Sequence, residues 1–191
     1  MKRIASLLLL VAMASPAAAH LPSGDSGSLT AGLLHPLLGA DHVLAMLIVG
    51  LWASRLGNRA LWAVPAAFMG AMLAGFGLAL LGMPLPGVEP MILASTVVLG
   101  LVVALALRLG LWGSALLVGF FALFHGHAHG AELGEAAALR FAGGFAFATL
   151  SLHLLGVAAG QALFRSFPRG DLIARGLGGM AALAGAALAF G

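Results

Sequence analysis

Six long apolar runs dominate the sequence, at roughly residues 29–53, 60–82, 90–107, 111–130, 138–163 and 172–190. A helix rises about 1.5 Å per residue, so about 20 apolar residues cross the hydrocarbon layer of a bilayer. That layer holds no water to satisfy a stray N–H or C=O, which leaves the helix as the conformation for runs of this kind. Charged residues are 8% of the chain and hydrophobic ones 62%, too little polar surface for a soluble globule of 191 residues. The expectation is an all-α integral membrane protein, a six-helix transmembrane bundle with almost no mass outside the bilayer.

The first 19 residues read as something else. Lys2 and Arg3 form a basic start, Ile4 to Met13 an apolar stretch too short to span comfortably, and Ser15-Pro16-Ala17-Ala18-Ala19 a run rich in small residues. That order is a secretory signal peptide, with cleavage expected after Ala19. Residues 20–191 are then one six-span domain whose mature start, His20, lies outside the cytoplasm. This places Arg55, Arg59, Arg108, Arg165, Arg169 and Arg175 on cytoplasmic loops or ends, as the positive-inside rule asks, and only Arg140 dissents. Trp52, Trp62 and Trp112 also fall at the cytoplasmic ends, where indoles favour the headgroup level. Both mature termini are expected in the periplasm, the membrane being the bacterial inner one.

Composition closes other routes. With no cysteine there are no disulfides, thiolate metal sites or iron–sulfur clusters. The high pI rests on a small arginine excess and implies no nucleic-acid partner. Gly70, Gly75, Gly77, Gly143, Gly144, Gly156 and Gly160 let helices approach closely. The GxxxG at Gly156 and Gly160 reads as packing within one bundle before a dimer seam.

Against this background the ionisable side chains inside the spans stand out, because each costs several kcal/mol unless it has a partner or faces a cavity. The first run, in "HPLLGADHVLAMLIVGLWA", contains His35, Asp41 and His42. The fourth, in "HGHAHGAELG", contains His125, His127 and His129, with Glu132 just beyond; the fifth contains His153. His125, His129 and Glu132 share one helical stripe, and His127 points elsewhere. Pro36 and Gly39 predict a kink or unwinding between His35 and His42. Counted along the helices, His35 and His125 lie about 10 Å below the outer surface, Asp41 and His42 about 20 Å, and His153 as deep or deeper. Imidazole and carboxylate without thiolate suit divalent nickel, cobalt, zinc or copper, and calcium or magnesium would want more oxygen. His20 adds a chelate of imidazole and free α-amine at the mouth.

The two quoted segments resemble the signature segments of the HupE/UreJ family of bacterial metal permeases. The resemblance extends over essentially the whole chain. It implies secondary uptake of nickel, in some members cobalt, across the inner membrane, in support of hydrogenase or urease maturation. Carried onto this sequence, the family's metal-motif residues are His35, Asp41, His42, His125, His129 and Glu132, with His127 variable. The metal is then cargo and no cofactor is expected.

The remaining readings are a membrane-embedded zinc hydrolase and a metal sensor. HExxH and GxSxG are absent, as is the GxxxxGK[ST] of an ATP-driven pump. The path expected for a permease runs from His20 or Glu132 to His35, His125 and His129, on to Asp41 and His42, and past His153. Metal and protons compete for the same nitrogens, so uptake should fall as the medium acidifies through the histidine range; proton-coupled transport could reverse that trend.

Overall fold

The computed structural model describes residues 28–130 and 135–190, and within them every regular element is a helix. In chain order these are α1 (Leu29–Leu38), α2 (Ala40–Leu56), α3 (Ala60–Leu80), α4 (Val88–Ala104), α5 (Gly110–Gly130), α6 (Glu135–Ser166) and α7 (Gly170–Phe190). The leader expected over residues 1–19, His20 and Glu132 lie outside the described residues.

Four of the helices, α3, α5, α6 and α7, are long and apolar enough to cross a bilayer. Helix α4 has 17 residues and is shorter than that standard. The first apolar run departs from a single rod. It is split into α1 and α2, which pass the test only together and bend by 85°.

Two residues explain the break. Pro36 sits inside α1 and removes one backbone donor from its last turns. Gly39 then takes an extended conformation, φ −97° and ψ 116°, and separates the two helices. A side chain at position 39 would stand 2.8 Å from Asp41 Oδ1 and 3.0 Å from His42 Nδ1. Glycine therefore keeps the space over this pair clear. At the other end of α1, Ser28 Oγ accepts from the Ala31 N–H at 2.9 Å, a conventional N-cap.

Packing is dominated by three pairs, α3 on α5, α4 on α7 and α2 on α6, with α1 laid across the N-terminal part of α6. Taking α1 and α2 as one unit, exchange of the first three units with the last three maps this pairing onto itself. That pattern is the one an inverted repeat would produce. Small residues make the pairs close. The backbone of α6 at Gly156 lies against Leu47 and Gly50 of α2, and Gly126 of α5 lies against the Met72 carbonyl of α3. Gly75, Gly144 and Gly160 are likewise in tight contacts, so the Gly156–Gly160 motif serves packing within the bundle. Gly70 and Gly77 differ from expectation: a Cβ at either would meet nothing within 4 Å.

The outward faces carry large apolar side chains, among them Leu116, Leu139, Phe147, Leu155 and Leu183. So much exposed hydrocarbon is a lipid-facing surface. Among the described residues, every arginine but Arg140, near the start of α6, gathers at one end of the bundle. Arg55 at the end of α2 pairs with Asp171 at the start of α7, and Arg175 Nε donates to Ala104 O at the end of α4. Arg59 and Arg108 line one cavity with Arg55, and Arg165 and Arg169 flank the α6–α7 turn. Trp62 and Trp112 are exposed at this end. Trp52 lies at the same end, as its position in the span predicts, but not on the surface there. Its ring is buried in the core, and its Nε1–H donates to Leu107 O at 3.0 Å.

Candidate metal-binding site

The 85° bend determines which polar groups meet. It lays His35 of α1 beside the first turn of α2, which carries Asp41 and His42. The last turns of α5 bring His125 and His129 to the same place. His42 is the hub. Its ring centre lies 4.9 Å from that of His125, 5.2 Å from that of His129 and 6.4 Å from that of His35. His35 and His129 close the cluster with ring centres 4.2 Å apart. Phe141 and Phe145 of α6 form an apolar wall, their ring centres 5.4 and 6.1 Å from His35. The four rings thus form one cluster, where counting along straight helices had placed His35 and His125 a full step above His42.

Hydrogen bonds assign roles to individual nitrogens. Asp41 Oδ1 accepts from the His42 backbone N–H at 2.9 Å and from His42 Nδ1–H at 3.0 Å. The carboxylate so fixes the ring and its tautomer, leaving the lone pair on Nε2. That Nε2 accepts from the Nε2–H of His129 at 3.1 Å, a proton His129 would move to Nδ1 when both Nε2 atoms face a metal. On the other side, the Ser95 hydroxyl donates its one proton to Ile92 O at 2.6 Å. Its contact with His125 Nε2, at 2.9 Å, therefore has the ring N–H donating. His125 Nδ1 is then an unprotonated, fully buried nitrogen without a partner.

Neutral imidazoles with free lone pairs are what a borderline divalent cation needs. The pair of Nε2 atoms has a fitting separation. Two nitrogens each about 2.05 Å from a metal stand about 2.9 Å apart at a right angle and about 3.3 Å apart at the tetrahedral angle. The observed 3.1 Å falls between. Among the described residues, no group of three or more histidine or carboxylate side chains forms a complete ligand set as the side chains stand.

His153 of α6 lies apart from the cluster. Phe68 of α3 is fully buried between the two, its ring centre 5.7 Å from His125 and 4.8 Å from His153. Both ring nitrogens of His153, and the nearby Thr149 hydroxyl on the same helix, are buried without partners. His127 faces away, and its Nε2–H donates to Met83 O at 2.8 Å. It has the partner that a histidine in a structural role requires.

Sequence reading passed over Ser95 and Thr96. Ser95 sets the proton on His125, and Thr96 Oγ1 donates to Asp41 O at 3.3 Å, tying the start of α2 to α4. The signal was present as two adjacent hydroxyl residues in the middle of an apolar helix, "MILASTVVLG".

A family model described as HupE / UreJ protein matches residues 8–188 of this chain. Protein HupE of Rhizobium leguminosarum bv. viciae is 45% identical over 190 residues, which cover 99% of this chain and 98% of that protein. No solved structure matches.

Proposed function

This chain belongs to the HupE/UreJ family, and on that premise we propose that it takes up a divalent metal ion, nickel or alternatively cobalt, across the bacterial inner membrane. It does so as a secondary permease, and the metal supports hydrogenase or urease maturation. The observation that carries the reading is the convergence on His42 of histidines from α1 and α5, inside a bundle with a lipid-facing surface. Four imidazoles and a carboxylate are costly to place there unless they meet a cation.

The protein crosses the membrane six times, α1 and α2 counting as one crossing and α4 as a short one, with both mature termini in the periplasm. Metal enters past His20 and Glu132. It exchanges water for the Nε2 atoms of His42 and His129, with His35 and His125 as further donors. Asp41 keeps the His42 lone pair directed at the ion, in the carboxylate–histidine–metal arrangement common at metal sites. The ion then passes Phe68 to His153, whose unpartnered nitrogens fit a transient ligand.

Uptake of radioactive nickel into proteoliposomes, with cobalt and zinc as competitors, tests this. Accumulation that exceeds empty vesicles and is suppressed by cobalt is the expected result. Nickel that binds the protein without entering the vesicle would refute transport.

A further inference from the structure

The arginine end of the bundle contains a cavity of about 610 Å³, well away from the histidines. Arg55, Arg59 and Arg108 line it, with Asn58 and with Gly110 and Leu111 at the start of α5. The three come from the end of α2, the α2–α3 turn and the α4–α5 turn. Among the described residues one carboxylate, Asp171, answers them by pairing with Arg55 Nη2.

That pairing leaves the Arg55 guanidinium incomplete. Its Nε and Nη1 are buried and have no acceptor among the described residues. Buried donors without partners are costly, the more so when charged. Topology alone would explain arginines on this side of a membrane, but not one held inside with two nitrogens unanswered. The start of α5 adds N–H groups that find no backbone acceptor outside the helix among the described residues, beside a positive helix end. An anion with several acceptor oxygens would supply the acceptors these donors lack.

The surroundings indicate what bears that anion. Trp62 and Trp112, 71% and 79% exposed, stand near the starts of α3 and α5. Exposed indoles mark the headgroup level of a bilayer. Leu56 and Leu111 give the cavity an apolar part beside its arginines. A basic pocket between spans, at headgroup depth and with an apolar edge, suits an anionic lipid. We propose that the Arg55–Arg59–Arg108 cavity binds a phosphate group, that of an anionic phospholipid such as phosphatidylglycerol, and thereby ties the end of α2 to the α4–α5 turn.

The test uses full-length protein in detergent, with native mass spectrometry as readout. Phosphatidylglycerol, phosphatidylcholine and inorganic phosphate are the probes. Arg55 also holds Asp171, so the variant is the more exposed Arg59→Gln/Arg108→Gln pair, with Arg165→Gln/Arg169→Gln as a control of equal charge change. Phosphatidylglycerol should be retained by the wild type in preference to phosphatidylcholine. Each lost arginine weakens binding several-fold, so the Arg59/Arg108 variant should bind about 30-fold more weakly. The Arg165/Arg169 control should stay within a few-fold of wild type. Equal retention by wild type and the Arg59/Arg108 variant, or equal losses in both variants, would overturn the site. Displacement of the lipid by inorganic phosphate at comparable concentration would overturn the lipid as its source.

Discussion

Replacement of Gly126 by alanine probes how closely the histidine cluster depends on helix packing. Gly126 lies between His125 and His127, on the face of α5 that touches α3. A Cβ there would stand 2.7 Å from the Met72 carbonyl carbon and 2.9 Å from Phe76 N, and closer still to the Met72 carbonyl oxygen. Real Cβ atoms essentially never come within 3.0 Å, and ordinary contact begins at 3.4 Å. The carbonyl carbon alone therefore demands a separation of about 0.7 Å, and the oxygen demands more. Both obstacles are backbone, which cannot rotate aside. Helix α3 is also packed on α2 and α6, so α5 must move. A shift of that size takes the 3.1 Å Nε2–Nε2 pair of His42 and His129 outside the roughly 2.9–3.3 Å window in which two imidazoles share one metal. The expected cost is about 3 kcal/mol of stability, the upper end for overpacking. Nickel uptake per folded molecule should fall at least tenfold, on the scale of a small misplacement of ligating groups. Gly119→Ala on the same helix is the control, because its Cβ would meet the nearest atom, Ala71 Cβ, at 3.7 Å. Thermal unfolding in detergent and vesicle uptake, measured on both variants, decide the matter. Wild-type uptake and stability in Gly126→Ala would refute the claim that this contact sets the cluster's dimensions.

Three further outcomes follow from the hydrogen bonds. Asp41→Asn removes the anion that orients His42 and should weaken nickel affinity about 10- to 100-fold by equilibrium binding, with the fold retained; unchanged affinity would deny Asp41 that role. Ser95→Ala frees His125 from its assigned tautomer, and should lower stability by about 1 kcal/mol and slow uptake in the same vesicle assay. An unaltered rate would place His125 outside the path. Trp52→Phe strips the donor from Leu107 O, so its unfolding midpoint should drop by an amount worth about 1–3 kcal/mol while uptake per folded molecule stays unchanged; a specific uptake defect would show that Trp52 acts in more than packing.

Much of the architecture is visible in the order of residues, because a bilayer allows few solutions to a run of apolar side chains. The long helices α3, α5, α6 and α7 lie where such runs predict them. His127 turns away from His125 and His129, as a period of about 3.6 residues requires. Gly39 announces a break, but a glycine does not state an angle. The 85° bend collapses a depth ladder counted along straight rods into a single cluster. Trp52 illustrates a second limit. Position in the chain put all three tryptophans near one end, and only packing against the α4–α5 turn decides which is buried. Ser95 was missed for a third reason. A serine in an apolar helix usually returns its proton to its own backbone, as this one does to Ile92 O, and the oxygen's remaining capacity matters only when His125 arrives from another helix.

The account rests on His42 as the hub of a path for metal. Nickel uptake into proteoliposomes by wild type and His42→Ala, with matched protein content and thermal stability, tests it most directly. The account predicts that the variant falls to the level of empty vesicles while remaining folded. Uptake by a folded His42→Ala at the wild-type rate would contradict it.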